Sequence, residues 1–185
     1  MRFKVFWFVR MFFYSIFYKR ISWKGYFGKP IYLMGLKNIE IGEKVRILPG
    51  ARMESHLNGV IKIRNNVSIG QNIHIISQGK VSIGSGVLIS GNVLITSVDH
   101  CYVDISIPVI NQPHIVKDTV IGENCFIGYG VVIQAGSTLG KHCIVGSNSV
   151  VRGAFPDYSV IVGSPAKVIK TFDEKNQKWE KVINA

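Results

Sequence analysis

Asp99-His100 opens the longest stretch in which this chain stops repeating itself. On both sides the sequence returns every six residues to an aliphatic position, but from Ser97 to Thr119 it does not. An imidazole with an ordinary pKa near 6.5 can accept a proton at neutral pH, so a histidine placed here suits general-base work. Asp99 and Asp104 are candidates to orient its ring, although adjacent residues in extended chain point apart. Cys101 beside it would offer a thiol nucleophile for a covalent route. The other histidines, His56, His74, His114 and His142, lack the local spacing of a zinc site, and no metal is expected.

The elements that must position these residues are legible in the repeat. From residue 41 the chain reads IGEKVR, ILPGAR and MESH, later IRNNVS and IGQNIH, then IGSGVL and ISGNVL. After the break come IGENCF, IGYGVV, IQAGST, LGKHCI and VGSNSV. Fixed-period hexapeptides predict an all-β solenoid, a parallel β-helix of five to six coils. Three units make one triangular coil with the leading aliphatic pointing inward, and the next coil stacks about 4.8 Å above it. Residues eighteen apart then overlie each other, Ile121 under Leu139 and Cys125 under Cys143, which makes these two cysteines small core residues. Glycines such as Gly42, Gly84 and Gly122 follow the leading residue, where a corner favours a missing Cβ.

Departures from the period carry the functional signal. The step between leading positions exceeds six after Met53, after Ile75 and after Ile95. All three excesses belong to the third strand of their coil, so they stack at one corner, and the last, loop 97–119, is the largest. His56 falls at that corner two coils earlier, and His74 is expected to face outward.

Composition bounds the rest. The chain has 185 residues, 47% hydrophobic and only 18% charged, which excludes disorder. Its net charge of +11 is concentrated: residues 1–30 carry seven basic residues and no acid. A nucleic-acid binder spreads basic residues over a folded face, so no nucleic-acid partner is expected. Three cysteines without paired spacing fit a reducing compartment, and the apolar start lacks a cleavage site and is broken by Arg10. The protein is expected to be cytoplasmic.

The hexapeptide frame, the loop with Asp-His at its base, "NQP" after it and the closing "VIVGSPAKVIK" resemble the hexapeptide-repeat acetyltransferases over about residues 40–170. The closest likeness is to sugar O-acetyltransferases of the maltose/galactoside type and those of bacterial O-antigen, capsule or exopolysaccharide synthesis. The resemblance implies a left-handed coil, acetyl-CoA as acyl donor, and a homotrimer with active sites between subunits. It implies His100 as catalytic base, direct transfer rather than an acyl-cysteine, and a sugar or glycan acceptor. By position it implies coenzyme contacts at Phe126, Tyr129, Ser147 and Arg152, with Lys167 and Lys170 near the phosphates. Phe126 stands where many relatives have Trp, and Tyr129 where a small residue is common. The acceptor asparagine of the maltose branch falls at Gly70, with Asn72 two further on as the substrate-binding candidate. Rival functions are N-acetylation of an amino sugar, a non-catalytic β-helix scaffold, and a carbonic anhydrase, which would need three histidines converging on zinc.

Three segments are expected: a basic, aromatic helical segment at 1–30, the β-helix at 31–170, and a C-terminal helix at 171–185 begun by a capping box from Thr171 to Glu174. The first segment holds six of the ten phenylalanines by residue 17. It is expected to cap the open first coil, or to lie through residues 1–24 in the interface of the inner face of the cytoplasmic membrane.

Overall fold

The structure, a computed structural model, describes residues 2–18 and 20–182. One α-helix, α1 (Arg2–Phe17), precedes a parallel β-solenoid of seven turns. Each turn crosses three faces. The first is built from Gly25–Phe27, Val45–Ile47, Ser68–Ile69, Leu88–Ile89, Phe126–Ile127, Ile144–Val145 and Ser159–Gly163. The second runs from Tyr32–Met34 through Arg52–Ser55, His74–Ser77, Leu94–Thr96 and Val132–Ile133 to Val150–Val151. The third runs from Ile39–Ile41 through Val60–Ile63, Lys80–Ile83, Thr119–Ile121 and Thr138–Leu139 to Ala154–Phe155.

The leading aliphatics form the core. Ile47, Ile69 and Ile127 on the first face and Ile75, Ile95 and Ile133 on the second are all buried. Register follows the repeat: Ile121 pairs with Leu139 and Ile127 with Val145, and Cys125 and Cys143 are buried one above the other. Where residues have been inserted the stacking is kept, so Ile83 pairs with Ile121 across the long loop. Glycine and asparagine divide the corner between them. Gly122 is there because a Cβ would lie 2.5 Å from the backbone of Gly140 in the next coil. Asn124, two residues on, takes the left-handed turn itself at φ 58°, as asparagine tolerates.

Three expectations need correction. The solenoid has seven turns rather than five or six, because it begins before residue 31: Ile21 bridges to Ile41, and Gly25–Phe27 and Tyr32–Met34 are strands of the first coil. The leaders of this early coil, Ile21, Phe27 and Leu33, keep the six-residue spacing, but Phe27 replaces an aliphatic and aromatic and basic residues crowd the positions between them. The helical segment therefore ends at Phe17 rather than near residue 30. The third correction is the C-terminal helix, which is absent among residues 171–182; residues 183–185 lie outside the described residues. Ala166–Asp173 instead folds back antiparallel on Ser159–Gly163 and pairs with Lys178–Lys181. Asp173 accepts from the N–H groups of Lys175 and Asn176, which closes a turn, and Phe172 packs on Trp179 across the strands at 5.3 Å. Cross-strand aromatic packing and the Asp-centred turn outweigh the capping box.

Truncating Ile127 to Ala should cost about 2–5 kcal/mol of stability, whereas Ile31→Ala at a 72% exposed position should stay within about 0.5 kcal/mol. Urea unfolding of the two variants checks this.

Candidate active site

The long loop leaves and rejoins the solenoid through pinned ends. Ser97, fully buried, accepts from the N–H groups of Gln78 and Gly79 in the coil below, and its hydroxyl meets that of Ser77 at 3.3 Å. At the return, Thr119 donates its hydroxyl to the Thr96 carbonyl at 2.7 Å, so the loop comes back to the point at which it left. Between them the chain forms an antiparallel hairpin, Val98–His100 against His114–Val116. Gln112 is buried and staples the tip, donating to the carbonyls of Asp104 and Ile107 while accepting from the Asp104 N–H. That is what the glutamine of "NQP" does.

The hairpin register sets His100 directly opposite His114. Their rings meet edge to face, with centroids 4.9 Å apart and planes at 88°. His114 is held by the Gln78 side chain, whose oxygen lies 2.7 Å from Nδ1. With that oxygen accepting, Nδ1 carries the proton. His100 is exposed, and its neighbour in the protomer is this fixed imidazole. Asp99 turns its carboxylate onto the His100 backbone N–H at 2.8 Å, which fixes the peptide rather than the ring. Asp104 turns its carboxylate to the N–H and hydroxyl of Ser106, which hold its pKa below the usual range.

The two histidines open onto a pocket of about 490 Å³ at the corner where the three insertions stack. Leu57, Ile76, Leu94 and Val98 give it apolar walls, and His56, Gln78, Thr96 and Asp99 add polar groups. His56 thus lies where the spacing put it, and it is held there by a residue the sequence did not single out. Glu54, at the edge of the second face, is 7% exposed. Its two oxygens meet His56 and His74, each at 3.2 Å, and the Arg52 guanidinium. Burial pushes the Glu54 carboxyl up, but the hydrogen bonds from Arg52, His74 and His56 outweigh it and hold the pKa below the ordinary value. His56, His100 and His114 share the pocket, yet among the described residues no three His, Cys, Asp or Glu side chains are grouped to hold one metal ion.

Asn72 is not brought to this pocket. It occupies the corner between the first and second faces at φ 57° and donates to Asn92 at 3.0 Å; Asn92 in turn donates to the Tyr129 hydroxyl. It is a turn residue in a ladder of side chains. Nor are the six coenzyme candidates gathered at one place in the protomer. Tyr129 and Ser147 share that same corner, one coil apart, with the Asn148 N–H donating to the Tyr129 carbonyl at 2.8 Å. Phe126 lies on the first face in a separate cleft of about 430 Å³ with His142, Tyr158, Phe172 and Trp179. Arg152 follows the last strand of the second face, while Lys167 and Lys170 sit on the terminal hairpin strand.

The model of the bacterial transferase hexapeptide (six repeats) matches residues 118–153. The Escherichia coli K12 protein WbbJ, assigned to O-acetyl transfer in lipopolysaccharide biosynthesis, is 35% identical over 160 residues, covering 82% of this chain and 81% of its own. The chain belongs to the hexapeptide-repeat acetyltransferases. It is an acyltransferase with the left-handed β-helix of that family. Among solved structures, a galactoside acetyltransferase in complex with coenzyme A is similar at TM-score 0.52 and 25% identity over 72% of each chain. The Bacillus cereus N-acyltransferase AntD, solved with dTDP and coenzyme A, shares the fold at TM-score 0.68 and 20% identity over 80% of each chain.

The Glu54 cluster yields a signed expectation. A carboxylate whose folded pKa is depressed contributes stability that is present above its unfolded pKa and is lost as pH falls through the folded one. Glu54→Gln should cost up to about 1 kcal/mol at pH 7, because it weakens hydrogen bonds to Arg52, His56 and His74, whose side chains are only partly covered. Denaturant unfolding across a pH series should show that gap closing below about pH 4.

Proposed function

We propose that this acetyltransferase moves an acetyl group from acetyl-CoA to a sugar hydroxyl in the synthesis of a bacterial surface polysaccharide, with His100 as general base. The observation that carries the reading is the pocket at the insertion corner, with an exposed imidazole at its mouth and a second, fixed imidazole packed against it. The similarity to WbbJ supports the hydroxyl acceptor and the polysaccharide setting. The complexes of galactoside acetyltransferase and AntD with coenzyme A support the donor.

The chemistry runs in two steps. As the acceptor oxygen attacks the thioester carbonyl, His100 takes the hydroxyl proton, and the carbonyl π electrons move to oxygen. Collapse of the tetrahedral adduct breaks the carbon–sulfur bond, and the departing thiolate takes the proton from the imidazolium. Cys101 is not needed for direct transfer; its N–H serves the hairpin by donating to the Pro113 carbonyl. Coenzyme A is held along the coils by Phe126, Tyr129, Ser147 and Arg152, with Lys167 and Lys170 toward its phosphates. These residues converge when copies assemble as a trimer with active sites between subunits. The loop tip supports that assembly, since Val103, Ile105 and Ile110 are 81%, 99% and 85% exposed on a segment otherwise well braced.

Acetyl-CoA turnover against a panel of glycans and amino sugars, with mass spectrometry to locate the acetyl group, tests the reading. Transfer to a hydroxyl is expected; transfer only to an amine would make this an N-acetyltransferase. His100→Ala should lower the rate about 10²–10⁴-fold and leave the unfolding midpoint unchanged. Wild-type turnover in that variant would remove His100 from the chemistry.

A further inference from the structure

Helix α1 does two things with two different sides. Its inner stripe caps the first coil: Met11 is fully buried, Tyr14 packs on Phe27 at 5.6 Å, Trp7 meets Tyr26 at 5.6 Å, and Arg10 donates to the Phe27 carbonyl at 2.9 Å. These positions recur every three to four residues, as one face of a helix requires. A cap needs nothing more. Yet every exposed position from Val5 to Phe17 is also apolar, including Phe6 at 70%, Phe12 and Phe13 at 52% and Phe17 at 73%. No charge interrupts this outer arc, which runs from Val5 to the end of the helix at Phe17. A soluble surface rarely leaves so long an apolar strip uncovered.

What borders the arc is basic on both sides. Beside Phe8 lies a groove of about 410 Å³ lined by Trp23, Lys24, Tyr26, Lys44 and Arg46. Beside Phe17 lies a second hollow, with Arg20 and Lys37. Lys29, Lys37 and Lys44 are exposed, and Lys4 lies over the Tyr26 ring at 5.6 Å. Nearby acids Glu40 and Glu43 are already paired with Arg20, Lys62 and Lys24. A second copy of the chain docked arc to arc would bring two such cationic rims together, which disfavours it. A polyanion without an apolar layer would leave the phenylalanines wet. A bilayer with anionic headgroups satisfies both features at once.

We infer that the outer arc of α1 is a membrane-docking surface, seating the end of the solenoid on anionic phospholipid with Phe6, Phe12, Phe13 and Phe17 in the interface and Lys29, Lys37 and Lys44 on the headgroups. Capping and docking are simultaneous because they use opposite sides of one helix. Among the described residues no helix is long and apolar enough to cross a membrane, so the contact is peripheral. The His100 pocket spans the second to fourth coils, so it opens within about 15 Å of the docked end, at a rise of about 4.8 Å per coil.

Flotation of the full chain with phosphatidylcholine vesicles, with and without phosphatidylglycerol, tests this. Retention on the anionic vesicles alone, weakening as salt rises, is the expected result. Phe13→Ser/Phe17→Ser removes exposed side chains only and should lower vesicle affinity at least about tenfold, with the unfolding midpoint unchanged. Lys29→Gln/Lys37→Gln should lower it about fivefold per lysine on anionic vesicles. Equal flotation of wild type and the double Phe variant would overturn the proposal. So would failure to float together with a particle mass, by light scattering, that falls in that variant, because a second copy would then cover the arc.

Discussion

Everything in this molecule depends on one constraint: each coil must lie in register on the coil before it. The inward residue of every strand pairs with the inward residue one turn away, so Ile41, Ile63, Ile83, Ile121 and Leu139 form one continuous column. A strand cannot gain a single residue without turning the side chains beyond it inside out, since the side-chain period along a strand is two. Extra residues therefore have only one place to go, the corners. The stacking also dictates the small residues there: glycine where the next coil's backbone passes too close for a Cβ, asparagine where the chain turns left-handed.

The site follows from that expulsion. Successive insertions after Ser55, Ser77 and Thr96 leave the solenoid at the same corner, and the space between them becomes the pocket. The buried hydroxyl pair of Ser77 and Ser97 anchors the base of the longest insertion to the coil below. His100 is thus carried on a hairpin whose roots are as fixed as the core, while its ring remains open to ligand. A loop with free ends would leave the imidazole's distance to the pocket walls undefined, and an error of an ångström in such a distance is expensive in catalysis.

This logic explains what could be read in the sequence and what could not. The repeat, the insertion corner and the presence of His56 and His100 at it follow from spacing alone, because stacking converts position along the chain into position in space. The pairing of His100 with His114 depends on hairpin register inside an unrepeated loop, which no period encodes. Glu54 is not legible from spacing because a single acid in a strand looks solvated until Arg52 on its own strand and His74 on the next coil are seen to close over it. Asn72 lies two residues beyond the position that corresponds to the family's acceptor asparagine, and its φ of 57° places it in a turn. At the C-terminus a local capping signal lost to cross-strand pairing of Phe172 with Trp179, an interaction between residues too far apart for a capping pattern to register.

The neighbour chosen for His100 bears on the chemistry proposed for it. In many base-catalysed sites a carboxylate sits behind the imidazole and stabilises the cation formed on proton transfer. Within this protomer that position is taken by His114, whose edge cannot supply a negative charge, while Asp99 and Asp104 spend their carboxylates on backbone and serine groups. Such an arrangement orients the ring by packing rather than by a carboxylate. For acyl transfer from a thioester this is workable, because the proton is needed only until the carbon–sulfur bond breaks, when the departing thiolate takes it. A site that had to protonate an amine or alkoxide leaving group would hold its imidazolium longer and would gain more from a buried carboxylate. A fixed imidazole in the place of a carboxylate therefore suits a reaction whose leaving group is a good one.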